Sequence, residues 1–270
     1  ALGHADLVET PDGWWMVCLG VRPQGGKFHH LGRETFLAPV TWSADGWPVV
    51  NGNGKIELTM TAPRLPSHPW PEEPARDEFD KEKLGLAWNF LRNPYDADWS
   101  LSARPGFLRL NGSALTMNDK DSPAFVGRRQ EHLFCRASVR LRFNPQHTNE
   151  EAGLVVRGNE KNHYEIGVTL RNGLHQVFLR KTLDGKLVEP IQYTDVGTGE
   201  LRLLSGAAPS VYSFQLLDSD DGFGFDNAST RELSSEKIGG FTGVYIGMYA
   251  TGNGQKSSVQ ADFDWFEYEE

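Results

Sequence analysis

The sequence predicts an all-β protein: one small four-stranded sheet, then a sandwich of two antiparallel sheets. Three observations carry this. Apolar residues recur in short alternating runs with almost no helical periodicity. Turn signals rich in Gly, Asn and Asp separate the runs, among them Pro11-Asp12-Gly13, Arg171-Asn172-Gly173 and Leu183-Asp184-Gly185. Between Ala62 and Pro74, five prolines in thirteen residues exclude a helix and favour a stiff, extended connection. The domain division follows: 1–61 as the small sheet, 62–76 as the linker and 77–270 as the sandwich.

In the first unit, 5–10 and 14–21 read as a hairpin, because Asp12-Gly13 supplies the positive φ of a tight turn. Thr35 to Trp42 has the Thr, Phe, Val and Trp content of a strand, and Pro39 marks an edge or a bulge. Asp45-Gly46 then turns into Trp47 to Val50, and Asn51-Gly52-Asn53-Gly54 breaks the pattern. Four short strands make one sheet, the unit of a propeller blade. In the second unit the strand-like runs are Gly106–Leu110, Leu133–Phe143, Gly153–Arg157, Tyr164–Leu170, Leu174–Arg180, Tyr212–Leu217, Thr242–Met248 and Val259–Tyr268. The segment from Ala137 alternates cleanly: Ala137, Val139, Leu141 and Phe143 fall on one face, Ser138, Arg140 and Arg142 on the other. Many strands with short turns indicate two packed antiparallel sheets. Asp218, Asp220 and Asp221 read as a polar loop.

Lys plus Arg number 27 against 36 Asp plus Glu, a net charge of −9. Nucleic acid as a partner is excluded on this balance, because phosphate neutralisation needs a basic face. No apolar run reaches the length of a membrane-spanning helix, so no membrane partner is expected. Cys18 and Cys135 each lie in an apolar run, as buried free thiols do, and match no zinc spacing or disulfide framework.

Two stretches resemble a known family closely. His30-Leu31-Gly32-Arg33-Glu34-Thr35, followed by Ala38-Pro39-Val40-Thr41-Trp42 and Asp45-Gly46-Trp47-Pro48, is similar to the last propeller blade of glycoside hydrolase family 43. Gly3-His4-Ala5-Asp6-Leu7-Val8-Glu9-Thr10 and Asp12-Gly13-Trp14-Trp15 match the same blade just upstream. The branch is that of β-xylosidases and α-L-arabinofuranosidases with a C-terminal sandwich. Glu151-Ala152-Gly153-Leu154-Val155-Val156 and Ala261 to Tyr268 resemble its concanavalin A-like domain. The resemblance implies the last blade of a five-bladed β-propeller followed by that sandwich, with the preceding blades as the missing partner. It implies an inverting exo-glycosidase acting on xylo-oligosaccharides or arabinofuranosyl side chains of hemicellulose. No cofactor is required, and homo-oligomers are common. The general-base Asp, the general-acid Glu and the tuning Asp of the family lie on earlier blades. No catalytic residue is therefore expected in this sequence, and no hydrolysis by this chain alone.

What remains is the supporting shell. Gly32 permits a tight turn that sets Arg33 at the mouth of a strand, where a planar, always-charged guanidinium suits paired oxygens. The same arginine could equally sit in a strand-edge ion pair; the resemblance makes it the group that hydrogen-bonds the terminal sugar. Glu34 is expected to orient Arg33. His4 matches a histidine on the pocket floor that in some members helps hold a divalent metal; alone it would be a structural hydrogen-bonder. His29 and His30 replace less basic residues of some relatives. Phe241, among Gly239, Gly240 and Gly243, is either a core residue or, as the resemblance implies, an aromatic wall leaning from the sandwich into the pocket. Asp77, Glu78, Asp262 and Asp264 stand near the two ends of the sandwich. They are solvated charges, or else converge on calcium, with Asp77 and Asp264 as ligands. A different class of function, a carbohydrate-binding sandwich carrying a remnant blade, would show a groove of exposed aromatics on the sandwich itself.

Overall fold

The computed structural model describes residues 2–61, 66–217 and 222–270. Asp218, Asp220, Asp221 and the first part of the proline-rich connection lie outside the described residues. No helix among the described residues is long and apolar enough to cross a membrane.

The first unit is one antiparallel sheet in the order β1 (Leu2–Thr10), β2 (Gly13–Gly20), β3 (Glu34–Trp42), β4 (Pro48–Val50). The expected hairpin is present: Thr10 pairs with Gly13, whose φ is 133°. Pro39 is tolerated inside β3 for a local reason. Its carbonyl accepts the Asn51 N–H on the side where β4 has just ended, so its missing donor faces no ladder partner.

The second unit holds β5 (Arg76–Asp77), β6 (Trp99–Ser100), β7 (Leu108–Asn111), β8 (Ala124–Arg129), β9 (Cys135–Arg142) and β10 (Glu151–Asn159). It continues with β11 (Asn162–Arg171), β12 (Leu174–Leu183), β13 (Lys186–Asp195), β14 (Glu200–Ala208) and β15 (Val211–Leu216). After β16 (Phe223–Gly224) and β17 (Ala228–Ser229) comes a single helical turn, α1 (Ser235–Ile238), then β18 (Tyr245–Thr251) and β19 (Gln260–Glu269). One sheet runs β13-β12-β11-β10-β18-β8. The other runs β16-β15-β14-β9-β19-β7-β6, with β5 on β19 and β17 on β15. The alternation read in β9 is the reason for its place: Ala137, Val139 and Leu141 are fully buried against Leu154, Val156, Ile166 and Met248 of the facing sheet. Cys18 and Cys135 are free and buried.

Three of the longer strands escape the sequence pattern, as do the two-residue strands β5, β6, β16 and β17. β13 contains Pro190 and is an exposed edge, β14 ends in Ser-Gly-Ala-Ala, and β8 opens with the apolar run Ala-Phe-Val-Gly, without alternation, before Arg128 and Arg129. The expected strand from Thr242 instead begins at Tyr245, because residues 239–243 turn away to meet the first unit.

That meeting is a seam of backbone bonds. Ser235 N–H donates to His29 O (3.0 Å), Val244 N–H to His30 O (2.8 Å) and Arg33 N–H to Phe241 O (3.3 Å). Gly32 (φ 78°) and Gly243 (φ 74°) cross at its centre. A Cβ on Gly243 would lie under 3.0 Å from Leu31 O, and one on Gly32 under 3.0 Å from Gly243 N. His29 secures one end: its N–H and ring Nδ1 lie 2.9 and 2.6 Å from the two oxygens of Glu236 on α1. His30 and Leu31 plug into the sandwich at 2% and 3% exposure, and the His30 ring meets Tyr212 edge-on at 6.0 Å. Burial, with the neighbouring His29 adding to it, pushes the His30 pKa down to about 4.

Two outcomes follow. Gly240, with φ 81° and open space around it, separates backbone strain from contact. Gly240→Ala should cost about 1 kcal/mol, the left-handed penalty alone. Gly243→Ala should cost more than about 2 kcal/mol and release the Val244 and Arg33 amides to hydrogen exchange, with the β9 amides still protected. Equal costs for the two would refute the tight crossing. The second outcome concerns pH. The unfolded chain binds a proton on His30 near pH 6.5, whereas the folded chain resists until about pH 4. Stability should therefore fall as pH drops from 6.5 to 4, by on the order of 3 kcal/mol, and lose no more to this group below that. Denaturant titrations should show that His30→Leu flattens the slope in this window; a slope unchanged by the substitution would exclude His30 as its source.

Candidate substrate-facing site at the blade–sandwich seam

Register assembles the site. Leu2 pairs with Gly20, and Gly20 with Glu34, so the start of β1 and the start of β3 lie at one end of the small sheet. Two strand spacings, about 10 Å, separate them. His4 sits at this end, exposed, within the irregularity between Gly3 and Asp6 and with φ 48°. A bulge with a non-glycine residue in the left-handed region re-aims a side chain at a backbone cost, a device concentrated at functional sites.

Arg33 follows Gly32 directly and is exposed. Its guanidinium lies over the Phe241 ring, 4.8 Å from the centroid. Phe241 is 64% exposed, so it is no core residue; the three positive-φ glycines 239, 240 and 243 carry it outward. The stack contributes about 0.5–1 kcal/mol at such a surface. Arg33 makes no ion pair among the described residues. An exposed aromatic ring beside an exposed planar cation presents an apolar face and hydrogen-bond donors side by side.

Glu34 corrects an expectation. Its carboxylate does not orient Arg33; it is held in a fork by Arg22, with Nε to its two oxygens at 3.1 and 2.9 Å and Nη2 to Oε1 at 2.8 Å. Arg33 precedes the strand and stacks on Phe241, whereas Glu34 opens β3 and its carboxylate is taken by Arg22. Arg22 Nη2 also reaches Glu131 O, 3.5 Å away on the sandwich. The Arg22–Glu34 pair thus braces the two units. A cavity of about 160 Å³ opens here, lined by Leu31, Arg33, Glu34, Arg129, Gln130 and Glu131. Arg22, Arg129, Glu131 and Glu236 were not singled out in the sequence. Glu131 lies 109 residues from Arg22, and Glu236 207 from His29, with no motif linking either pair.

The carboxylates at the ends of the sandwich are engaged elsewhere. The terminal strands do pair, Asp77 opposite Phe266. Asp77, however, accepts the Trp88 indole N–H (2.8 Å) and the Phe79 N–H (2.9 Å). Asp262 is gripped by Arg104 (2.7 Å) and Arg109 (2.6 and 2.8 Å), Asp264 faces Arg140 (3.6 Å) and Glu78 faces Arg76 (3.9 Å). Among the described residues no group of three or more His, Cys, Asp or Glu is placed to hold a metal ion, His4 included.

Comparison with known proteins agrees with this architecture. Residues 76–269 match the β-xylosidase C-terminal concanavalin A-like domain, and residues 1–48 match glycosyl hydrolases family 43. A non-reducing end α-L-arabinofuranosidase of Bacteroides ovatus is 52% identical over 99% of this chain and 51% of its own length. A xylosidase/arabinosidase of Butyrivibrio fibrisolvens is 35% identical over all of this chain and 52% of its own. Among solved structures, the Bacteroides ovatus xyloglucan GH43B superposes with a TM-score of 0.95 at 51% identity, across 99% of this chain and 53% of that one. The xylan β-1,4-xylosidase of Bacillus halodurans superposes with a TM-score of 0.91 at 31% identity, across 100% and 53%. The chain spans about half the length of the relatives it matches. With an end blade, a matching sandwich and a seam between them, the chain belongs to glycosyl hydrolase family 43, in the group whose β-xylosidases carry a C-terminal concanavalin A-like domain.

Proposed function

We propose that this chain is the C-terminal part of an inverting exo-glycosidase that removes terminal arabinofuranosyl or xylosyl units from hemicellulose. The observation that carries the reading is the Arg33–Phe241 stack at the blade end, with His4 on the same end of the sheet. The 52% identical relative supports arabinofuranose as the terminal sugar.

In this reading the chain supplies binding, not proton transfer. Arg33 donates a fork of hydrogen bonds to the terminal sugar's hydroxyls, Phe241 walls the pocket and excludes water, and His4 lines the floor. The catalytic carboxylates stand on preceding blades. Inversion needs them roughly 6.5–9.5 Å apart, with water held between base and sugar. The blade is built to receive such neighbours. Leu7 and Trp42 stand exposed on one face of its sheet and Val8 and Leu37 on the other, and β1 is a nine-residue edge strand. Apolar exposure on both faces marks contact surfaces. A sandwich acting purely as a lectin leaves the Arg33–Phe241 contact without a purpose.

The test joins this chain to a complete propeller and measures release of pentose from an aryl glycoside. Arg33→Ala should lower kcat/KM by about 10–100-fold, the worth of a charge-assisted hydrogen bond. Phe241→Ala should raise KM, and the 270-residue chain alone should release no sugar. Full activity of Arg33→Ala, or turnover by the chain alone, would refute the assignment.

A further inference from the structure

We propose that Arg129, on sandwich strand β8, is a positioning residue for Arg33: it locks the Leu31–Gly32 peptide plane at the turn that leads into the sugar-facing arginine. The inference rests on the reading of Arg33 given above, and it reaches a residue on the other unit.

Arg129 Nη2 donates to the carbonyl of Leu31 at 3.2 Å. That carbonyl belongs to the Leu31–Gly32 peptide, and Gly32 alone separates it from Arg33. Arg129 also packs against the turn itself, since a Cβ on Gly32 would meet Nη2 at 2.8 Å. Its own placement is firm. Arg129 pairs with Tyr245 across the β8–β18 ladder, and its guanidinium lies 5.9 Å from the Tyr245 ring centre. The next residue, Gln130, donates its N–H to Val244 O and accepts the buried Tyr212 hydroxyl at 2.8 Å. The guanidinium therefore projects from a fixed strand.

Such a lock is needed because the turn pivots on glycine. Gly32 has φ 78°, and glycine occupies positive and negative φ with similar ease. A Leu31–Gly32 peptide released from Arg129 loses its side-chain restraint on rotation toward the other of the two arrangements that distinguish type I from type II turns, and only the backbone bonds of the crossing oppose it. Rotation redirects the chain at Arg33, draws its N–H from Phe241 O, and slides its guanidinium off the ring. Arg129 opposes this by holding the carbonyl oxygen in one direction. Arg129 also lines the same cavity as Arg33, so this restraint acts within the site.

The test needs no sugar, and so fails or succeeds independently of the proposed function. In nitrogen-15 spectra of the 270-residue chain, Phe241→Leu identifies the ring-current shift on the Arg33 side-chain N–H. Arg129→Gln should abolish that shift and speed exchange of the Arg33 amide by at least tenfold, leaving amides of β9 and β10 unchanged. Arg129→Lys, which keeps a charged donor, should restore much of both; if Arg129→Gln does not fold, the lysine variant supplies the comparison at smaller amplitude. Unaltered Arg33 signals, or exchange rising equally across both sheets, would overturn the assignment. In the propeller-complete protein, Arg129→Gln should raise KM about tenfold with kcat retained, and Arg129→Lys should recover it. If Arg33→Ala leaves KM unchanged while the spectra still couple Arg129 to Arg33, the sugar-binding reading fails and the positioning role stands.

Discussion

Two backbones cross at Gly32 and Gly243 at a separation no side chain would permit, and the orientation of the site depends on that crossing. Any residue with a Cβ would wedge the blade and sandwich apart there. Once the chains are that close, their amides and carbonyls bond one another directly: His29 and His30 accept from Ser235 and Val244, and Arg33 donates to Phe241. Backbone bonds fix direction as well as distance. The side chains that leave this crossing, Arg33 from one unit and Phe241 from the other, therefore meet as a stack instead of pointing independently into solvent.

The crossing is useful only if the sandwich side is stiff, and buried charges make it so. Arg180 is forked by both Glu151 (3.1 and 2.7 Å) and Glu165 (2.8 and 3.0 Å) on neighbouring strands β10 and β11. Burial alone would raise the Glu165 pKa, but Arg180 and the contact with His163 outweigh it and hold the group at about 2. Glu150 is fully buried and takes N–H donors from Gln146, His147 and Ser258 and the hydroxyl of Ser258. Burial again opposes ionisation, and these hydrogen bonds again prevail, at about 2. Carboxylates held this way contribute fully above the ordinary carboxylate value near 4.5 and lose that contribution as pH falls from there to about 2, a window that begins where the His30 window is ending. Breaking either arrangement leaves a buried charge uncompensated, a larger loss than forming it gained. Such networks specify one arrangement of strands, and β8 and β18, which frame the seam, belong to the same sheet as Arg180.

Much of this was legible in the sequence, and the boundary of legibility is physical. Alternation in β9 placed Ala137, Val139 and Leu141 in the core, and Asp12-Gly13 placed the first hairpin, because both signals are local. Glycines around Arg33 and Phe241 signalled outward loops for the same reason. Pairings across the fold left no local trace. Glu34 reads as the partner of its sequence neighbour Arg33, yet its partner is Arg22, brought alongside by the intervening loop. Asp77 and Asp264 read alike in the sequence as carboxylates near the ends of the sandwich, and only the fold shows Trp88 beside one and Arg140 beside the other. Strands β8, β13 and β14 lacked alternation because they are buried on both faces, interrupted by proline, or built of small residues.

The two kinds of surface on the blade differ in what they can specify. Its sheet faces offer Leu7, Val8, Leu37 and Trp42, contacts that attract in proportion to area but tolerate sliding. Its end offers glycine, carbonyls and a braced ion pair, contacts that vanish with a shift of an ångström. A sugar pocket needs the second kind where the guanidinium is aimed, because hydrogen bonds to hydroxyls demand fixed donor directions. The sandwich therefore does more than cover an edge. By gripping the Leu31 carbonyl and returning Phe241 onto the Arg33 side chain, it supplies the directional half of the proposed site, and the apolar faces need only hold the blade in place.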